Sequence, residues 1–74
     1  MNDGVWSEAV RPDLLVLAAS DAHWARSNDA ERFAKESAAE GDRSAELIWW
    51  ARRGLHREVA VELRQLAGRI GGGA

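Results

Sequence analysis

The sequence predicts an all-α protein: an antiparallel helical hairpin of two long arms, two copies of which pair into a four-helix bundle. Three observations predict it. Leu47, Ala51, Leu55, Val59, Leu63, Leu66 and Ile70 recur at steps of four and three, the period of one helical face. Gly41-Asp42, midway along the chain, places a residue that tolerates the left-handed conformation just before two candidate helix caps, Asp42 and Ser44. A continuous apolar run, residues 14–19, has no second strand candidate to pair with, so it reads as helix.

In chain order, residues 1–11 form a leader that carries Gly4 and an isolated Trp6. Pro12 suits the first turn of a helix, where its missing N–H costs nothing, and Asp13 sits favourably at the positive end of the helix dipole. The first arm spans residues 12–39. Its apolar start, Leu14 to Ala19, implies packing by several neighbours. Arg26-Ser27-Asn28-Asp29 interrupts the apolar pattern, and Asn28 with Glu31 has capping-box spacing. The arm is therefore either one helix with a polar patch or two helices meeting near residues 27–28. Ala30, Phe33, Ala34 and Ala38 then continue a narrow alanine-rich face.

After the turn, the second arm spans residues 43–70, roughly 40 Å at 1.5 Å per residue. Gly54 inside it costs about 1 kcal/mol relative to alanine. Residues 71–74, Gly-Gly-Gly-Ala, read as a flexible tail. The expected core sets Leu14, Leu17, Trp24 and Phe33 against Leu47, Leu55, Val59, Leu63 and Leu66.

Size and charge bound the rest. A single domain of 74 residues buries only roughly 60% of its unfolded surface, so its core is thin. With no cysteine, neither a disulfide nor a thiolate zinc site can compensate, which favours association with another chain. The net charge of -2 gives no global attraction to nucleic acid or anionic lipid. Residues 1–41 carry -4 and residues 42–74 carry +2, a split that suits an antiparallel hairpin or head-to-tail pairing. No membrane span or secretory signal is legible, so the expected compartment is the cytoplasm. Nine arginines to one lysine point to a GC-rich bacterial or phage gene.

The functional reading centres on Trp49-Trp50. Adjacent helical residues point about 100° apart, so both cannot enter one core of a two-helix hairpin. One should face a second surface, and tryptophan is a frequent interface anchor. The partner-binding candidates are therefore Trp49, Trp50, Arg53 and Arg57, in a non-enzymatic protein that works by protein–protein association. It would be a regulator, an inhibitor or antitoxin-like binder, or an accessory subunit, with a second copy or a larger protein as partner. The alternative is nucleic-acid binding through Arg53, Arg57 and Arg64, on the face opposite the leucine stripe.

Gly54-Leu55-x-x-Glu58-Val59-Ala60-x-x-Leu63 resembles the first half of a helix-turn-helix, which would extend over residues 47–70. That resemblance implies a break at Gly54 and a recognition helix ending near Ile70. Arg64, Gln65 and Leu66, however, supply no turn residue. No catalytic or metal-ligating pattern is present and no cofactor is implied. Asp21 and His23 lie two apart and face away from each other on a helix. His23 reads as a partly buried structural residue and the distant His56 as a surface one, with Arg52 and Arg53 near it.

Overall fold

The structure, a computed structural model, describes residues 11–72, which form two antiparallel helices, α1 (Pro12–Ala39) and α2 (Arg43–Gly72). Arg11, in extended geometry, leads into Pro12 at the first helical turn. No side chain caps that end, but Asp13 in the first turn accepts from Arg11 at 2.9 Å. The leader's remaining residues, 1–10 with Trp6, and the last two tail residues, 73–74, lie outside the described residues.

Neither helix breaks. α1 runs unbroken through residues 27–28, where Ser27 Oγ donates back to the Trp24 carbonyl at 2.7 Å instead of capping a new helix. α2 runs through Gly54 and ends at Gly72, two residues past the expected end at residue 70. The turn of a helix-turn-helix over residues 47–70 is therefore absent.

The hairpin turn follows from its residues. Gly41 has φ +77, a conformation costly for any residue with a Cβ. The Gly41 N–H donates to Ala38 O at 3.1 Å and the Asp42 N–H to Ser37 O at 2.9 Å, so two terminal carbonyls of α1 find partners. Asp42 Oδ1 then accepts from the Ala45 N–H at 3.0 Å and caps α2.

The seam between the helices follows a step of three and four, the heptad spacing of antiparallel coiled coils. On α1 it consists of Val16, Ser20, His23, Ser27, Ala30, Ala34 and Ser37, all buried or half-buried. On α2 it consists of Glu46, Trp49, Arg53, His56, Ala60, Leu63 and Ala67. The fully buried apolar residues among those described are alanines: Ala30, Ala34, Ala60 and Ala67. Small side chains let the helices approach so closely that Ser20 Oγ donates across the seam to the Ala60 carbonyl at 2.7 Å.

This corrects the expected core. Leu14, Trp24, Leu47, Leu55 and Leu66 are exposed, and Leu17, Phe33 and Val59 only border the seam; Leu63 alone of the leucine stripe sits in it. Bulky stripes facing each other would have held the helices apart, whereas the serine and alanine stripes close. Heptad geometry then divides the large apolar residues between two flanks. One carries Leu17, Trp24 and Val61, edged by Leu14 and Leu47; the other carries Leu15, Phe33, Ile48, Leu55 and Leu66. The Cα trace is 12 Å deep in its thinnest direction, a single layer of helix.

Candidate interaction surfaces

Near the turn, Trp49 lies in the seam against Phe33, with ring centroids 4.8 Å apart, and the Arg52 guanidinium covers its other side at 4.9 Å. Trp50 leans to the Trp24 flank. Its Nε1 donates to Glu46 Oε2 at 3.2 Å and Arg53 lies 5.4 Å from its ring. Both tryptophans are half-buried within one hairpin. The pair does diverge as adjacent helical residues must, but both members find contacts in their own chain.

Arg53 and Arg57 are half-buried and turn towards α1. Arg53 Nε donates to Glu31 Oε1 at 2.8 Å, and Arg57 Nη2 lies 3.7 Å from the same oxygen. The Arg53 hydrogen bond, more than the charges of Arg53, Lys35 and Arg57, holds the Glu31 carboxyl below its ordinary range against a smaller opposing effect of burial. Arg57 Nε also donates to Ser27 Oγ at 3.3 Å, and its guanidinium covers the Trp24 ring at 4.9 Å. Arg64 is the exposed member of the trio, 3.6 Å from an equally exposed Asp21. The opposed charges of the two halves thus meet across the hairpin, while two of the three arginines expected to grip phosphate are already engaged by a carboxylate.

His23 and His56, far apart in sequence, meet at the centre of the seam with Nδ1 atoms 3.0 Å apart and ring centroids 5.3 Å apart. That distance fits a hydrogen bond in which one ring N–H donates to the bare nitrogen of the other, the tautomers setting which is which. His56 is half-buried, not a surface residue. Burial is the largest cause of its lowered proton affinity, followed by the charges of His23, Arg26 and Arg52.

Beside the histidines, on the Trp24 flank, the close Ser20–Ala60 approach leaves a groove of about 620 Å³. Trp24 and Ala25 form one wall and Val61 the other, Ser20 and Ala60 form the floor, and Asp21 and Arg64 stand at the rim. Trp24 is 45% exposed and Val61 50% exposed, although both are apolar. No protein family, curated protein or solved structure matches this chain. What it does must therefore be read from its own surfaces.

Those surfaces are of two kinds. The seam is polar and internally satisfied: among the described residues no buried side-chain nitrogen or oxygen lacks a partner. The flanks are apolar and uncovered. No described helix is long and apolar enough to cross a membrane. Sequence reasoning placed weight on Trp49, Trp50, Arg53 and Arg57, which run from the turn end to the middle of α2. It missed Glu31, Ser27 and the histidine pair. One signal was available for the histidines: both fall on the three-four spacing that runs through Ser20, Ser27 and Ala30 on one arm and Arg53 and Ala60 on the other.

Proposed function

We propose that this chain acts by protein–protein association through the apolar flanks of the hairpin. The observation that carries this reading is the inversion of burial. Leu15, Ile48 and Leu55 are 62%, 55% and 58% exposed, while serines and alanines fill the interior. Covering a fully exposed leucine-sized side chain contributes about 1.5–3 kcal/mol, so the flanks hold most of the apolar surface still available to stabilise anything. A helix pair one layer thick must bury such a face against a second layer. Trp49, Trp50, Arg53 and Arg57 continue this surface from the middle of α2 towards the turn, where aromatic rings and guanidinium groups can form the rim of an interface.

Thermal unfolding followed at increasing protein concentration tests the reading, alongside the light-scattering mass. The expected result is a mass above the 8.1 kDa of the single chain and a midpoint that rises with concentration, since association stabilises by mass action. A single-chain mass with a sharp, concentration-independent midpoint would show that the hairpin needs nothing on its flanks, and would overturn it.

A further inference from the structure

The geometry points to a second copy of this chain as the occupant of the Trp24 groove. The copy is seated about a two-fold axis parallel to the helices, so that α1 of each protomer lies on α2 of the other and both turns emerge at the same end. This rests on the association reading and specifies its partner and arrangement. A two-fold interface must be self-complementary, and this flank supplies both parts. Trp24 is a projecting ridge, and the floor between it and Val61 is made of the small side chains Ser20 and Ala60, the serine hydroxyl already satisfied by the Ala60 carbonyl.

The level of each residue along the hairpin is set by observed contacts: Ser20 with Ala60, His23 with His56, and Asp21 with Arg64. An axis parallel to the helices preserves those levels. Trp24 therefore comes to the partner's Val61, and Asp21 to the partner's Arg64. The rim then closes with two acids and two bases.

Charge selects this arrangement over its rival. α1 carries five acids and three bases, whereas α2 carries three acids and six bases. An axis across the helices would stack α1 on α1 and α2 on α2, like charge on like. The parallel axis alternates acidic and basic helices around the bundle. The opposite flank suits a second copy less well. Arg26 and Arg52 both act on His56 from that side, and closing that flank on itself would desolvate both cations.

A chain without cysteine allows a single label: the exposed Glu40 beside the turn is changed to cysteine and spin-labelled, and the distance between labels in the assembled protein is measured. Same-end turns place the labels within about 30 Å; opposite ends separate them by on the order of 40 Å or more, the length of α1. In the same assay Val61→Arg is expected to halve the mass while helicity is kept. Asp21→Arg should weaken the dimer, and adding Arg64→Asp should restore it. Support requires the short distance together with the Val61→Arg loss.

An assembly whose labels lie at opposite ends, or whose mass ignores Val61→Arg, overturns this arrangement but leaves association standing. A protein of single-chain mass at every concentration overturns both. Deleting residues 1–10 covers the remaining occupant. If Trp24 becomes more exposed to a fluorescence quencher while the mass is unchanged, the groove is filled by the chain's own leader and the proposal fails.

Discussion

The hydrogen bond between His23 and His56 makes the seam sensitive to acid. Their Nδ1 atoms are 3.0 Å apart, so protonating both rings would set two N–H donors against each other. The side chains around them offer little relief. From α1 come Arg26 and the hydroxyls of Ser20 and Ser27; from α2 come Arg52, Arg53 and Arg57. The neighbouring carboxylates, Glu31 and Asp21, are held by Arg53 and Arg64. His56 binds its proton less readily folded than unfolded, where its value is near 6.5. Below that pH the unfolded chain takes up more protons, so stability is full above about 6.5 and declines as pH falls through the lowered folded value. The urea midpoint should drop between about pH 7 and pH 5, and His56→Gln should flatten that limb. A midpoint that rises on acidification over this range contradicts the pair as described. Asp13 and Glu31, whose carboxyls are held low by Arg11 and Arg53, contribute a separate loss only below their ordinary values of 3.8 and 4.5. The histidine contact was legible only as a coincidence of spacing. The sequence marks His23 as partly buried but gives His56 no such sign, and only the pairing of the two arms brings them face to face.

Among the elements, the turn and the helices have separable demands. Gly41 needs its positive φ, so Gly41→Ala should cost about 1–2 kcal/mol even though a Cβ there would meet nothing within 4 Å. Gly54 is a different case. It lies in the interior of α2 with open space at its Cβ position, so Gly54→Ala should stabilise by about 0.5–1 kcal/mol. Denaturant midpoints of the two variants should move in opposite directions; a loss at Gly54 would argue for a bend the continuous helix does not have. Ala34 is fully buried in the seam, so Ala34→Leu should cost about 1–3 kcal/mol by forcing the helices apart. These elements were mostly legible. Pro12, Gly41 and Asp42 marked the boundaries for local chemical reasons that operate wherever the chain goes. The inner faces were not legible, because a helical period identifies an apolar stripe without saying what it meets. Leu47, Leu55 and Leu66 form such a stripe and point outward, while the seam uses Ser20, Ser27, Ala30 and Ala60, whose value lies in being small.

On the scale of the whole molecule, charge and apolar surface have different tasks, and salt separates them. Within the hairpin, Glu31 joins Arg53 and Arg57, and Asp21 joins Arg64; between helices, an acidic α1 faces a basic α2. The exposed pairs are individually weak and are screened within about 3 Å at 1 M salt. The flanks respond oppositely, since burial of leucine, tryptophan and valine surface owes little to charge. For the proposed dimer, raising salt from about 0.1 M to 1 M should therefore leave the assembled mass intact while weakening the preference for alternating helices. In the Glu40→Cys protein this would appear as a long-distance population growing at the expense of the short one. Collapse to the 8.1 kDa chain in high salt would instead assign cohesion to the ion pairs. Binding to duplex DNA or RNA has its own signature, an affinity that falls steeply with salt, and would have to come chiefly from Arg64 with the arginines not held by Glu31. Apolar cohesion combined with electrostatic choice of arrangement predicts a mass that ignores salt and a geometry that does not. Neither charge alone nor apolar surface alone predicts that pair of responses.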